Sequence, residues 1–110
     1  MSDRWPIPTT LSEKGSAAAH AIRDFLVERG LTEHGGGGKF YSPEEWKERE
    51  ELYGTDSLLI ITHDGGDHAA AFNYAYEDPA LMQALTSKLS DSNVFVEQCT
   101  SWYSAVYDNA

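Results

Sequence analysis

Four branched aliphatic residues in succession, Leu58-Leu59-Ile60-Ile61, constrain the fold of this chain more than any other feature. Neighbouring residues of a strand point to opposite faces, so an unbroken apolar run needs cover on both sides. Ser57 to His63 is therefore expected to form a strand in the interior of a sheet. The run is also far shorter than the roughly 20 apolar residues that cross a bilayer, and no longer one occurs. No membrane is expected among the partners.

Three helices are expected around this strand. Thr10 or Ser12 can cap the first, whose Leu11, Ala18, Ala21, Ile22, Phe25 and Leu26 recur at helical spacing until Gly30 stops it. Ser42-Pro43-Glu44-Glu45 opens the second with a cap serine, a proline at the first helical position and a glutamate at the third. Trp46, Arg49 and Tyr53 fall on one side of that helix, and Gly54 ends it. Asp78-Pro79 opens the third, with Leu81, Met82, Leu85 and Leu89 as its buried stripe.

After the aliphatic run, Asp64-Gly65-Gly66-Asp67 reads as the reversal of a hairpin. The segment His68 to Tyr76 then alternates His68, Ala70, Phe72, Tyr74 and Tyr76 with smaller residues, the pattern of a return strand. Asn93 to Val96 and Trp102 to Tyr107 add further strand signals on either side of a kink at Thr100-Ser101. The expected fold is a small α+β domain spanning 1–110, with about three helices on a mostly antiparallel three- to four-stranded sheet, in the order ααββαβ. Residues 1–9 read as an extended lead, and 32–39, which contain Gly35 to Gly38, as a mobile loop.

The charge is unevenly placed. Residues 1–30 carry four acids and four bases, whereas residues 31–110 carry 14 acids against Lys39, Lys47, Arg49 and Lys88, which accounts for the whole net charge of −10. An acidic chain repels nucleic-acid phosphates, so direct nucleic-acid binding is not expected. A single-sign field instead suits a basic protein surface, such as that of a nucleic-acid-binding enzyme or complex. Met1 to Pro6 lacks the apolar segment of a secretory signal, and the single Cys99 cannot form an internal disulfide. A cytoplasmic location is the expectation, and Cys99 reads as a small buried residue.

Two sites follow from these patterns. The first is a docking face on the second helix and its continuation, with Glu44, Glu48 and Glu51 along one side and Trp46, Tyr53 and Asp56 beside them. Aromatic anchors slow dissociation and carboxylates speed encounter, so this set suits a non-enzymatic binding protein with an inhibitor, immunity or anti-defence role that imitates nucleic-acid charge. The second is a divalent transition-metal site of a small module or hydrolase. In the expected hairpin His63 faces His68 and Asp64 faces Asp67, with His34 of the glycine loop as a further ligand.

Other motifs fail for stated reasons. His34-Gly35-Gly36-Gly37 resembles an oxyanion-hole sequence, but no Gly-x-Ser-x-Gly nucleophile occurs. Gly38-Lys39 is followed by Phe40 where a phosphate loop needs Ser or Thr. A small-molecule pocket between the aromatic sheet face and a helix, and a homodimer through an edge strand, remain open as further readings.

Overall fold

A computed structural model describes residues 5–32 and 38–109. Helix α1, Glu13–Glu28, begins where the Ser12 side chain accepts a hydrogen bond from the Gly15 N–H at 3.0 Å. Gly15 is required there by contact: a Cβ on it would lie 2.5 Å from the Leu58 carbonyl oxygen. Strand β1, Lys39–Tyr41, leads into helix α2, Pro43–Glu48. The expected capping box is present, with Ser42 and Glu45 each accepting from the other's backbone N–H, at 3.2 and 2.9 Å. This helix stops after six residues. Glu50 takes a left-handed φ of 60°, and the chain runs on as a loop through Gly54.

Strand β2, Leu59–Thr62, is buried along its whole length, as its apolar run requires. Helix α3, Pro79–Ser90, is capped by Asp78, and strands β3, Val94–Gln98, and β4, Tyr103–Asp108, complete the described elements. The sheet is antiparallel throughout in the order β1-β2-β4-β3, which places β2 inside it. The α+β class, the three helices, the antiparallel sheet and its strands β2, β3 and β4 match the sequence reading, whereas β1 was not expected.

The expected hairpin is corrected. Residues His68 to Tyr76 do not pair with β2; they form two short 3-10 turns, Asp67–Ala71 and Tyr74–Tyr76. Burial of His68, Ala69, Ala71 and Phe72 follows the spacing of a helical turn, and the alanines offer little side-chain area to a sheet partner. β1 and β4 flank β2 instead. β1 includes Lys39, which the sequence reading placed in the glycine loop; residues 33–37 of that loop lie outside the described residues, as do residues 1–4 of the lead. Trp5 is no part of an extended lead. It is 1% exposed and packs on Phe40 and His68 at ring separations of 5.3 and 4.5 Å.

The two faces of the sheet carry separate cores. Phe40, Leu59, Ile61, Val94 and Val106 join Ile22, Phe25 and Leu26 of α1 and Leu85 and Leu89 of α3 in the larger one. Ile60, Tyr103 and Ala105 point the other way and meet Trp46 of α2 in a smaller, aromatic cluster. No described helix is long and apolar enough to cross a membrane.

Candidate functional site

The segment from Glu44 to Asp56 lies over the smaller core and holds six acids, Glu44, Glu45, Glu48, Glu50, Glu51 and Asp56, against Lys47 and Arg49. Arg49 is committed locally: it pairs with Glu51 at 3.4 Å and stacks on the rings of Tyr41 and Trp46. The loop is held to the sheet at two points. Tyr103 donates its hydroxyl to the Tyr53 carbonyl at 3.4 Å, and Gly54, with φ of 83°, lies so close to Ile60 that a Cβ would come within 2.8 Å of its side chain. These ties pin the backbone and leave the flanking side chains outside. Leu52 is 83% exposed and Tyr53 55%.

Between this loop and the β3–β4 hairpin opens a groove of about 470 Å³. Asp56 enters it from the loop and Glu97 from β3, with Cys99 and Tyr107 on its floor and Leu52 and Tyr53 at its rim. The electrostatics are consistent with both carboxylates lying close to the floor. Burial, together with Cys99, Asp56 and Glu97, pushes the Tyr107 hydroxyl up to about 12. Burial, then Glu97 and Asp56, also raises the Cys99 thiol above its ordinary value, so it is a poor nucleophile. A smaller groove, of about 280 Å³, shares Asp56 and is lined by Glu44 and Lys47. A groove of about 550 Å³ between α1 and α3 mixes Glu13, Asp24 and Asp91 with Lys88 and has no comparable single-sign character.

Of the expected docking residues, Glu44, Glu48, Tyr53 and Asp56 are exposed on this side. Glu51 is half-buried and lies beyond the end of α2, so it does not continue a helical row. Trp46 is corrected outright. It is 0% exposed and, packed against Tyr103 at 4.8 Å, serves as the centre of the smaller core and not as a partner anchor. Leu52, Glu97 and Tyr107 were not assigned to the site from sequence. The alternation of Glu97 with Val96 carried a signal of opposite faces, but nothing local places β3 beside the 50–56 loop.

The expected metal set is pulled apart. The rings of His63 and His68 are buried, while Asp64 and Asp67 face solvent. His63 Nε2 lies 2.9 Å from the Ser104 hydroxyl oxygen, and the ring stacks on Phe72. His68 Nε2 donates to the Thr62 carbonyl at 3.0 Å. Burial, reinforced by His68, lowers His63 from 6.5 to about 4, so its ring is neutral near pH 7. Among the described residues no three His, Cys, Asp or Glu side chains gather as a metal site; His34 lies outside them.

Comparison with protein-family models, curated proteins and solved structures finds no match.

Proposed function

We propose that this protein is a non-enzymatic binding module that docks the face formed by α2, the 50–56 loop and the open part of the sheet on a basic surface of a partner protein. The observation that carries the reading is the groove in which Asp56 and Glu97 converge beneath exposed Leu52 and Tyr53, with no Lys or Arg among its lining residues. Such a surface combines apolar contact area with charge of one sign. The first contributes to slow dissociation and the second to fast encounter. Basic surfaces of nucleic-acid-binding enzymes and complexes fit this chemistry, and an inhibitor or immunity role follows if the basic surface is the one that binds nucleic acid.

The test uses purified nucleic-acid-binding domains with pI above 9 and size-matched neutral domains, with this chain immobilised. Saturable binding to a basic domain is expected, with an association rate that falls as salt is added and falls again in the double variant Glu44→Lys/Asp56→Lys. A complex indifferent to both changes, or none with any basic domain, overturns the reading.

A further inference from the structure

We propose that the outer edge of β3 accepts an extended basic segment of the partner as an antiparallel fifth strand, whose arginine or lysine enters the groove between Asp56 and Glu97. This rests on the docking reading above and names what is docked.

The parity of the ladder decides which backbone groups are available. The Asn109 N–H donates to the Asn93 carbonyl at 3.0 Å and the Cys99 N–H to the Tyr103 carbonyl at 3.1 Å. Between them, Phe95 stands opposite Tyr107 and Glu97 opposite Ala105. Bonded pairs alternate along an antiparallel ladder, so the odd-numbered residues of β3 direct their backbone groups to β4. Val94, Val96 and Gln98 therefore turn their N–H and C=O groups outward. Among the described residues no further strand flanks this edge.

Side chains alternate across the sheet as well. Val94 and Val96 pack into the larger core, whereas Phe95 and Glu97 stand on the face that carries the groove. Every second side chain of an added strand would lie next to them. Phe95, stacked on Tyr107 at 5.7 Å and 36% exposed, offers an apolar seat for the methylene stem of a long cation. Glu97 and Asp56 then receive the charged head, with the ring of Tyr107 beneath it.

Charge complementarity selects this occupant over a second copy of the chain. Self-pairing would bring another Glu97 and another net charge of −10 to the same edge, which like-charge repulsion opposes. Val94 to Gln98 contains neither Lys nor Pro, so the one charge on this edge, Glu97, opposes a second copy and attracts a basic strand.

The probe is a capped, fluorescein-labelled nine-residue peptide of alternating Arg and Val, read by fluorescence anisotropy. With Arg opposite Glu97, the valines fall opposite Val96 and carry the bonded amides. N-methylation of the valine amides is expected to weaken binding at least tenfold, and N-methylation of the arginine amides to spare it. Glu97→Lys and Asp56→Lys are each expected to weaken the unmodified peptide severalfold. The methylated peptides use the unaltered protein, so their result does not depend on a variant's folding.

Equal binding of both methylated peptides, with Glu97→Lys still damaging, removes strand addition and leaves the acidic-face reading intact. The same follows if no peptide binds although a folded basic domain does. Failure of peptides and basic domains alike removes both readings. A concentration-dependent dimer seen by sedimentation and abolished by Val96→Pro assigns the edge to a second copy and overturns the proposal.

Discussion

On one side of the sheet, α1 and α3 cover Leu59, Ile61 and Val106 completely, and several surface charges there are paired. Lys14 meets Asp108 at 2.6 Å and Lys88 meets Glu28 at 3.8 Å. On the other side a six-residue helix and a loop cover Ile60, Tyr103 and Ala105, leave Leu52 and Tyr53 in solvent, and crowd six acids around two bases. The thick side removes far more apolar area from water, so most of the hydrophobic stabilisation lies there. Its surface ion pairs contribute little either way. The thin side tolerates unbalanced charge because few of its carboxylates need leave water. A partner of opposite sign would relieve their mutual repulsion, which gives this face a physical reason to bind.

The largest effect that separates the two sides is truncation. Ile61→Ala should lower stability by about 2–5 kcal/mol through lost burial and a cavity, whereas Leu52→Ala should stay within about 0.5 kcal/mol. Urea denaturation measures both, and equal losses would erase the distinction between the faces.

A second prediction concerns the buried histidines beside the thick side. The folded state holds His63 near 4 against an ordinary 6.5, so it binds fewer protons than the unfolded chain at intermediate pH. This contribution leaves stability intact above about pH 6.5, erodes it as pH falls towards about 4, and levels off below that. One such proton corresponds to a slope of at most about 1.4 kcal/mol per pH unit. In His63→Gln the limb of a stability profile between pH 6.5 and 4 should become shallower, and an unchanged limb would place the acid sensitivity elsewhere.

The thin side should yield smaller numbers. Ser42→Ala removes one half of the capping box and should cost about 1 kcal/mol, because α2 is too short to persist without its cap and its Trp46 contact. Glu97→Gln should change stability least of all. Loss of that neighbouring charge lowers the Cys99 thiol, so alkylation by iodoacetamide at pH 8 should speed up a few-fold. No change in rate would mean that burial alone holds the thiol protonated, and that Glu97 does not act on the groove floor.

Local order was legible where neighbours in the chain interact. The Ser42–Glu45 box, the Ser12 and Asp78 caps and the continuous burial of β2 involve residues within four positions of each other or a periodicity that any short window displays. The stretch from His68 to Tyr76 shows the limit of such reasoning. Its alternation is real, yet alternating alanine and aromatic residues also fit two turns that bury His68 and Phe72 on one side, and the competition for β2's edges decided between them. The groove was legible only in fragments, because Asp56 and Glu97 are brought together by pairing of β2 with β4 and of β4 with β3.

From its amino acids alone the chain sets a central strand, three capped helices and an acidic surplus confined to residues 31–110, since these depend on local periodicity, caps and counted charge. Tertiary structure decided that Trp46 would be core and Leu52 surface, that the histidine rings would turn inward while their neighbouring aspartates face water, and that two distant carboxylates would share one groove. The physical reason is the same in each case. Burial and strand pairing are settled by contacts between segments far apart in sequence, whose outcome no single segment encodes.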